Sequence, residues 1–384
     1  MSVTAPQGFT ASGVTAGLKP SGKPDLALVV NTGPSQVAAA RFTKNRVQAA
    51  PVLWTKQVMT TGSLRAVVLN SGGANACTGP DGFADTHKTA EKTADALDCG
   101  AVEVAVCSTG LIGERLDMDK LLPAVEDAAK NLAADGGRAA AEAIMTTDTT
   151  AKTAAYVSDE GWTIGAMAKG AGMLAPSLAT MLVTVTTDAK VDALAADSAL
   201  AAACDRTFDR LDSDGSTSTN DTVLLMSSGA VDVTPDPVEF TEALASVCHS
   251  LAQSMLGDAE GATKEIAITV QNAATEEEAV QVGRAVARDN LVKCAFFGED
   301  PNWGRILAAV GCTDAAFDPD RLAVAINGVR ICENGCAAAD RSLVDLSARA
   351  VDVTVDLDAG GHSATVWTTD LTHDYVHENS AYST

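Results

Sequence analysis

A chain of 384 residues with 27 basic and 50 acidic side chains, net charge −23, repels nucleic acid and anionic membrane surfaces, so both are poor partners. Its length predicts two to three domains or one large composite fold, and 46% hydrophobic content with 4% aromatics predicts a core of Ala, Val and Leu. No run reaches the roughly 20 apolar residues of a membrane span. The N-terminus lacks the basic start and apolar stretch of a signal peptide, and nine scattered cysteines read as reduced thiols, so a soluble cytoplasmic protein is expected.

In chain order, the predicted elements open with a buried strand over Arg65–Asn70, a helix over Asp85–Asp98, a strand over Val102–Ser108 and a helix over Met118–Ala134. A strand-like piece, Trp162–Ala168, leads through a Gly-rich turn and a Pro-containing turn into a second strand-like run from Thr180. A helix over Asp192–Thr207 follows, then a strand over Glu265–Gln271 and a helix over Thr275–Val292. That last helix opens on Thr275-Glu276-Glu277-Glu278, a capping box with acids on the positive end of the helix dipole. Strands over Leu322–Asn327 and Ala350–Asp356 complete the pattern. Irregular alternation of this kind predicts an α/β (α+β) fold of layered sheets covered by helices.

Several segments invite a chemical reading. The glycines Gly165, Gly170 and Gly172 suggest a phosphate cradle, but neither the P-loop spacing nor GxGxxG is present, which excludes nucleotide binding. Cys332 and Cys336 lack a second pair or a nearby His, so no metal is expected. The five histidines form no HExxH or triad spacing; His373 and His377 sit in an expected strand or loop and are given a surface role. Asp214, Asn220 and Asp221 occupy a hydroxyl-rich run read as a hydrogen-bonded turn and are left out of the candidate site.

The segment KGAGMLAPSLATML (Lys169–Leu182) resembles the signature of the ornithine acetyltransferase (glutamate N-acetyltransferase) family. NSGGANACTG, CSTGLIGERL, MTTDT, DGSTSTNDT, DAEGATK, DPNWGR and the final ENSAYST agree with it in collinear order across nearly the whole chain. The Thr150-Ala151 pair departs from a pattern in which many relatives carry Pro second, which touches nothing catalytic.

The resemblance implies an αββα-type fold and a precursor that cuts itself between Ala179 and Thr180 into an amino-terminal chain, 1–179, and a carboxy-terminal chain, 180–384. The physics is coherent. A Thr hydroxyl needs an adjacent base, and cleavage gives Thr180 an α-amine whose ordinary pKa is about 8. Thr109 and Gly110 match the family's oxyanion hole, and Thr146, Lys169, Thr180, Glu260, Asn379 and Thr384 match its substrate contacts. Lys169 and neighbouring hydroxyls suit an α-carboxylate, and Glu260 suits the side-chain ammonium of ornithine.

The expected reaction is ping-pong: acetyl passes from N-acetylornithine to Thr180 and then to glutamate. No cofactor is implied. Acetyl-CoA as a second donor is left open, and the implied assembly is a heterotetramer of two cleaved pairs. Two other readings stay open, a self-processing N-terminal-Thr amidohydrolase or aminopeptidase and a non-catalytic assembly protein in which the Gly-rich block is only a tight turn.

Overall fold

The computed structural model describes residues 1–174 and 181–381. Among the described residues three sheets form the frame, with strands and helices labelled in chain order. The first runs β1-β2-β4-β5, from β1 (Phe9–Val14), β2 (Leu26–Asn31), β4 (Ala66–Ser71) and β5 (Val104–Thr109). The second runs β3-β9-β8-β7-β6, from β3 (Val37–Phe42), β9 (Thr222–Ser227), β8 (Leu182–Thr187), β7 (Thr163–Lys169) and β6 (Lys152–Val157). The third runs β13-β12-β11-β14-β10-β15. Its strands are β13 (Cys336–Ala337), β12 (Val329–Glu333), β11 (Ala323–Ile326), β14 (Ala350–Asp356), β10 (Glu265–Ala273) and β15 (His362–Thr369).

Covering both faces of a sheet demands an unbroken apolar strand, and β2 (LALVVN) and β5 (VAVCST) are buried along their whole length. The first two sheets share one core, in which Leu28, Val68 and Val106 meet Met167, Leu182, Leu224 and Met226. On the flanks of the first sheet lie α1 (Ala50–Val58), α2 (Gly79–Leu97), α3 (Met118–Lys130) and α4 (Gly137–Ala143). The edge of β5 is closed by α1: the Thr55 hydroxyl donates to Val106 O at 2.8 Å and accepts from Val106 N at 3.0 Å.

Ile164, Ala166, Val183, Val185 and Val223 point from the other face of the second sheet into a core with α5 (Ala193–Arg206) and α6 (Pro237–Gly257). The strand β14 alternates, burying Val351, Val353 and Val355, because one face of the third sheet packs on helices. Those helices are α7 (Glu276–Arg288), α8 (Asn290–Phe297) and α9 (Trp303–Val310). The layered α/β architecture expected from the sequence is the one observed.

Two expectations are corrected. The single helix over Thr275–Val292 is two helices, because the Asp289 carboxylate accepts from Val292 N–H at 2.9 Å and caps a new one. His373 and His377 lie on a helix, α10 (His373–Ala381), not on a strand or loop. Thr372 starts it by accepting from Tyr375 N–H at 2.9 Å, and both histidines are exposed. Among the described residues, no helix is long and apolar enough to cross a membrane.

Candidate active site

Parallel pairing of β4 with β5 sets Asn70 beside Ser108 and Ser71 beside Thr109, so two strand ends open side by side. Carboxyl ends of parallel strands are where an α/β sheet leaves room for a ligand. The turns there are tightly tied. Gly72 N–H and Gly73 N–H both donate to Thr109 O, at 3.0 and 3.1 Å. Gly110 has φ of +129°, and a Cβ built on it would sit 2.6 Å from Gly73 N. Only glycine holds that backbone without strain.

Asn220 crosses from the second sheet to brace this corner. Its Nδ2 donates to Ala74 O at 2.6 Å and to Ser108 O at 2.8 Å. The Ser108 hydroxyl donates to Asn70 Oδ1 at 2.5 Å, and Asn70 Nδ2 donates to Gly73 O at 3.1 Å. Every polar group in this buried cluster is therefore held, which fixes where Thr109 and Gly110 stand.

Lys169 ends β7, paired in register with Leu182 of β8, and is 1% exposed. Its Nζ donates to Thr109 Oγ1 at 3.5 Å, which brings the ends of the first two sheets together. Burial pushes the Lys169 ammonium below the ordinary lysine range, against the pull of the Asp148 carboxylate. Thr146 stands beside it, its N–H donating to Asp148 Oδ2 at 3.0 Å.

Glu260 follows α6, and its N–H donates to Ala171 O at 3.0 Å, next to the end of β7. A Cβ on Gly172 would lie 2.7 Å from the Glu260 carboxyl carbon, so a side chain there would push the carboxylate away. From α10, Asn379 Nδ2 donates to Glu260 Oε2 at 3.2 Å.

These residues line one cleft of about 630 Å³, whose walls include Thr109, Gly110, Thr146, Lys169, Glu260 and Asn379. Buried cation, half-buried carboxylate and hydroxyls in one concavity suit a small zwitterionic molecule. Ala179, Thr180 and Thr384, also singled out in the sequence, lie outside the described residues. A groove of about 750 Å³ elsewhere is less suited: Arg210 is already paired with Glu276 at 2.6 Å, and Arg288 with Asp212 at 2.7 Å, on its rim. Among the described residues, no group of three or more His, Cys, Asp or Glu is placed to hold a metal.

Among the cleft residues that sequence reasoning left out of the site are Lys19 and Asn220. Lys19 Nζ donates to Met145 O at 2.6 Å and Pro24 O at 2.9 Å, adding a second cation at the mouth. Nothing in its own neighbourhood signals this. The run read as a plain turn also does more than turn. Ser213 N–H donates to Leu174 O at 2.5 Å, and the Asp221 carboxylate accepts from Met181 N–H at 3.0 Å. A single loop therefore grips the last described residue before position 175 and the first after position 180.

Fold and cleft together define a layered α/β protein with a buried-lysine pocket for a small charged molecule. The pattern of the ArgJ family matches residues 10–384, and the chain belongs to that family. It is 66% identical over 383 residues to the arginine biosynthesis bifunctional protein ArgJ of Streptomyces coelicolor, covering 100% of each chain. It is 58% identical over 388 residues to the protein of that name from Mycobacterium tuberculosis, covering 99% of this chain and 96% of the other. Among solved structures it is similar to an ornithine acetyltransferase complexed with ornithine from Mycobacterium tuberculosis. Identity there is 62%, the match covers 46% of this chain and 94% of that one, and the TM-score is 0.45.

Proposed function

We propose that this protein is a glutamate N-acetyltransferase of arginine biosynthesis, moving acetyl from N-acetylornithine to glutamate through an acetyl-Thr180 intermediate. The observation that carries this reading is the convergence of Thr109, Gly110, Thr146, Lys169, Glu260 and Asn379 on one cleft although they span most of the chain. In this reading the precursor cuts itself between Ala179 and Thr180. The pieces 1–179 and 180–384 stay together and pair into a heterotetramer. The new α-amine of Thr180 takes the proton of its own hydroxyl, which attacks the acetyl carbonyl of N-acetylornithine.

Charge then develops on the carbonyl oxygen, and the Thr109 hydroxyl and Gly110 N–H receive it. Ornithine leaves with the proton. Glutamate enters, its amine attacks the acetyl-threonine, and N-acetylglutamate departs with Thr180 regenerated. Lys169 and Thr146 hold the α-carboxylate common to both amino acids, and Glu260 holds the side-chain ammonium of ornithine. Asn379, beside Glu260, and Thr384 complete the substrate contacts. The relatives from Streptomyces coelicolor and Mycobacterium tuberculosis are called bifunctional, which favours acetyl-CoA as a second donor. No bound cofactor is needed.

One experiment tests the reading against hydrolysis, in which water would replace glutamate. Added glutamate is expected to accelerate ornithine release from N-acetylornithine, with N-acetylglutamate formed in equal amount. Ornithine release that ignores glutamate identifies an amidohydrolase and sinks the proposal. Glutamate with acetyl-CoA as sole donor decides the second donor.

A further inference from the structure

Asp148 is buried beneath the cleft, and its carboxylate ties together two pieces of the wall. Oδ2 accepts from Thr146 N–H at 3.0 Å, and Oδ1 accepts from Gly170 N–H at 2.7 Å, one residue beyond Lys169. Lys152 Nζ donates to the same Oδ1 at 2.7 Å and to Asp258 Oδ2 at 2.5 Å. Asp258 in turn accepts from Thr149 N–H at 3.0 Å. The Lys152 and Asp148 side chains are 1% and 0% exposed, so solvent does not screen the charge of Asp148.

Asp148, Asp221 and Glu260 favour the Lys169 ammonium, Lys152 opposes it, and Lys19 lies near enough to feel it. Asp148 is the strongest of the supporting charges. Burial alone would raise its carboxyl, yet Lys169 and then Lys152 hold it at about 2, so it stays an anion throughout the working range.

We infer that Asp148 is a positioning residue of this active site, joining the Thr146 wall to the end of β7 and supplying the counter-charge for Lys169. This deepens the acetyl-transfer reading and rests on it for the role of Lys169. Without Asp148, the ammonium that meets a substrate carboxylate is lost at a lower pH.

The test follows Lys169 itself by NMR, in full-length processed protein carrying carbon-13 at lysine Cε, with its signal assigned by its loss in Lys169→Met. In Asp148→Asn the titration midpoint of Lys169 is expected to fall by about one pH unit or more, as for loss of a buried opposite charge, here one held on the N–H of the adjacent Gly170. The alkaline limb of kcat/KM for N-acetylornithine should move to lower pH with it. Asp258→Asn, which removes the other partner of Lys152, serves as the structural control and should leave both midpoints in place. If Asp148→Asn does not fold, Lys169→Met supplies the reciprocal measurement, since coupling acts both ways. The carboxyl of Asp148 must then titrate above about 2 in that variant.

A Lys169 midpoint that stays put in Asp148→Asn, one that moves equally in Asp258→Asn, or an unmoved Asp148 in Lys169→Met overturns the inference. If wild-type protein transfers no acetyl group, the functional reading fails, while the titrations still decide the role of Asp148.

Discussion

Thr180→Ala is expected to give a single uncut chain of 39.1 kDa with no acetyl transfer. Both losses have one cause. The hydroxyl that would attack the peptide bond before it during maturation is the hydroxyl that would attack the acetyl carbonyl during turnover. Alanine offers neither. Residual rates in enzymes stripped of a nucleophile come from the oxyanion donors and from binding, and amount to roughly 10³–10⁴-fold over water, far below a useful turnover. Intact mass reports maturation, and ornithine release reports turnover. An uncut Thr180→Ala chain that still transfers acetyl would remove Thr180 from the mechanism.

The second large effect is expected at Gly110. A methyl group there meets Gly73 N at 2.6 Å and the Gly72 carbonyl carbon at 2.9 Å, on a backbone with φ of +129°. The turn must open, and the Gly110 N–H moves with it. Loss of one oxyanion donor costs about 3 kcal/mol of transition-state stabilisation, or roughly 10²–10³-fold in kcat. Gly110→Ala should therefore lower kcat by that factor and change KM little, because Lys169 and Glu260 sit on other elements. The burst of ornithine in a single turnover measures the step directly. An unchanged burst rate would mean that Gly110 N–H faces no developing charge.

Part of the frame was legible in the residues; strands β1, β2 and β3 and the long helix α6 drew no expectation. Strand Ala350–Asp356 announces itself by alternation, and the Thr275 capping box by its acids. The motif blocks named the residues of the cleft because each block is a local string. Asn220 was not legible, because its partners Ala74 and Ser108 stand 146 and 112 positions away. A hydroxyl-rich run reads as a turn until the carbonyls it holds are seen. Lys19 was missed for the same reason, its acceptor Met145 lying 126 positions off. The break at Asp289 was hidden by continuous helical periodicity, which a single capping carboxylate interrupts.

The order of strands in the second sheet carries a last consequence. Read against a cut at position 180, β8 and β9 belong to the carboxy-terminal piece, and they lie between β3 and β7 of the amino-terminal piece. Six registered pairs join β7 to β8 and another six join β3 to β9. The pieces are thus interleaved in the second sheet like fingers of two hands, and neither holds that sheet whole by itself. If the chain is cut there, melting also parts the two pieces, so the midpoint of the processed protein should rise more steeply with protein concentration than that of uncut Thr180→Ala. Calorimetry over a hundredfold dilution would show the difference, and equal concentration dependence in both would mean that the pieces do not part on unfolding.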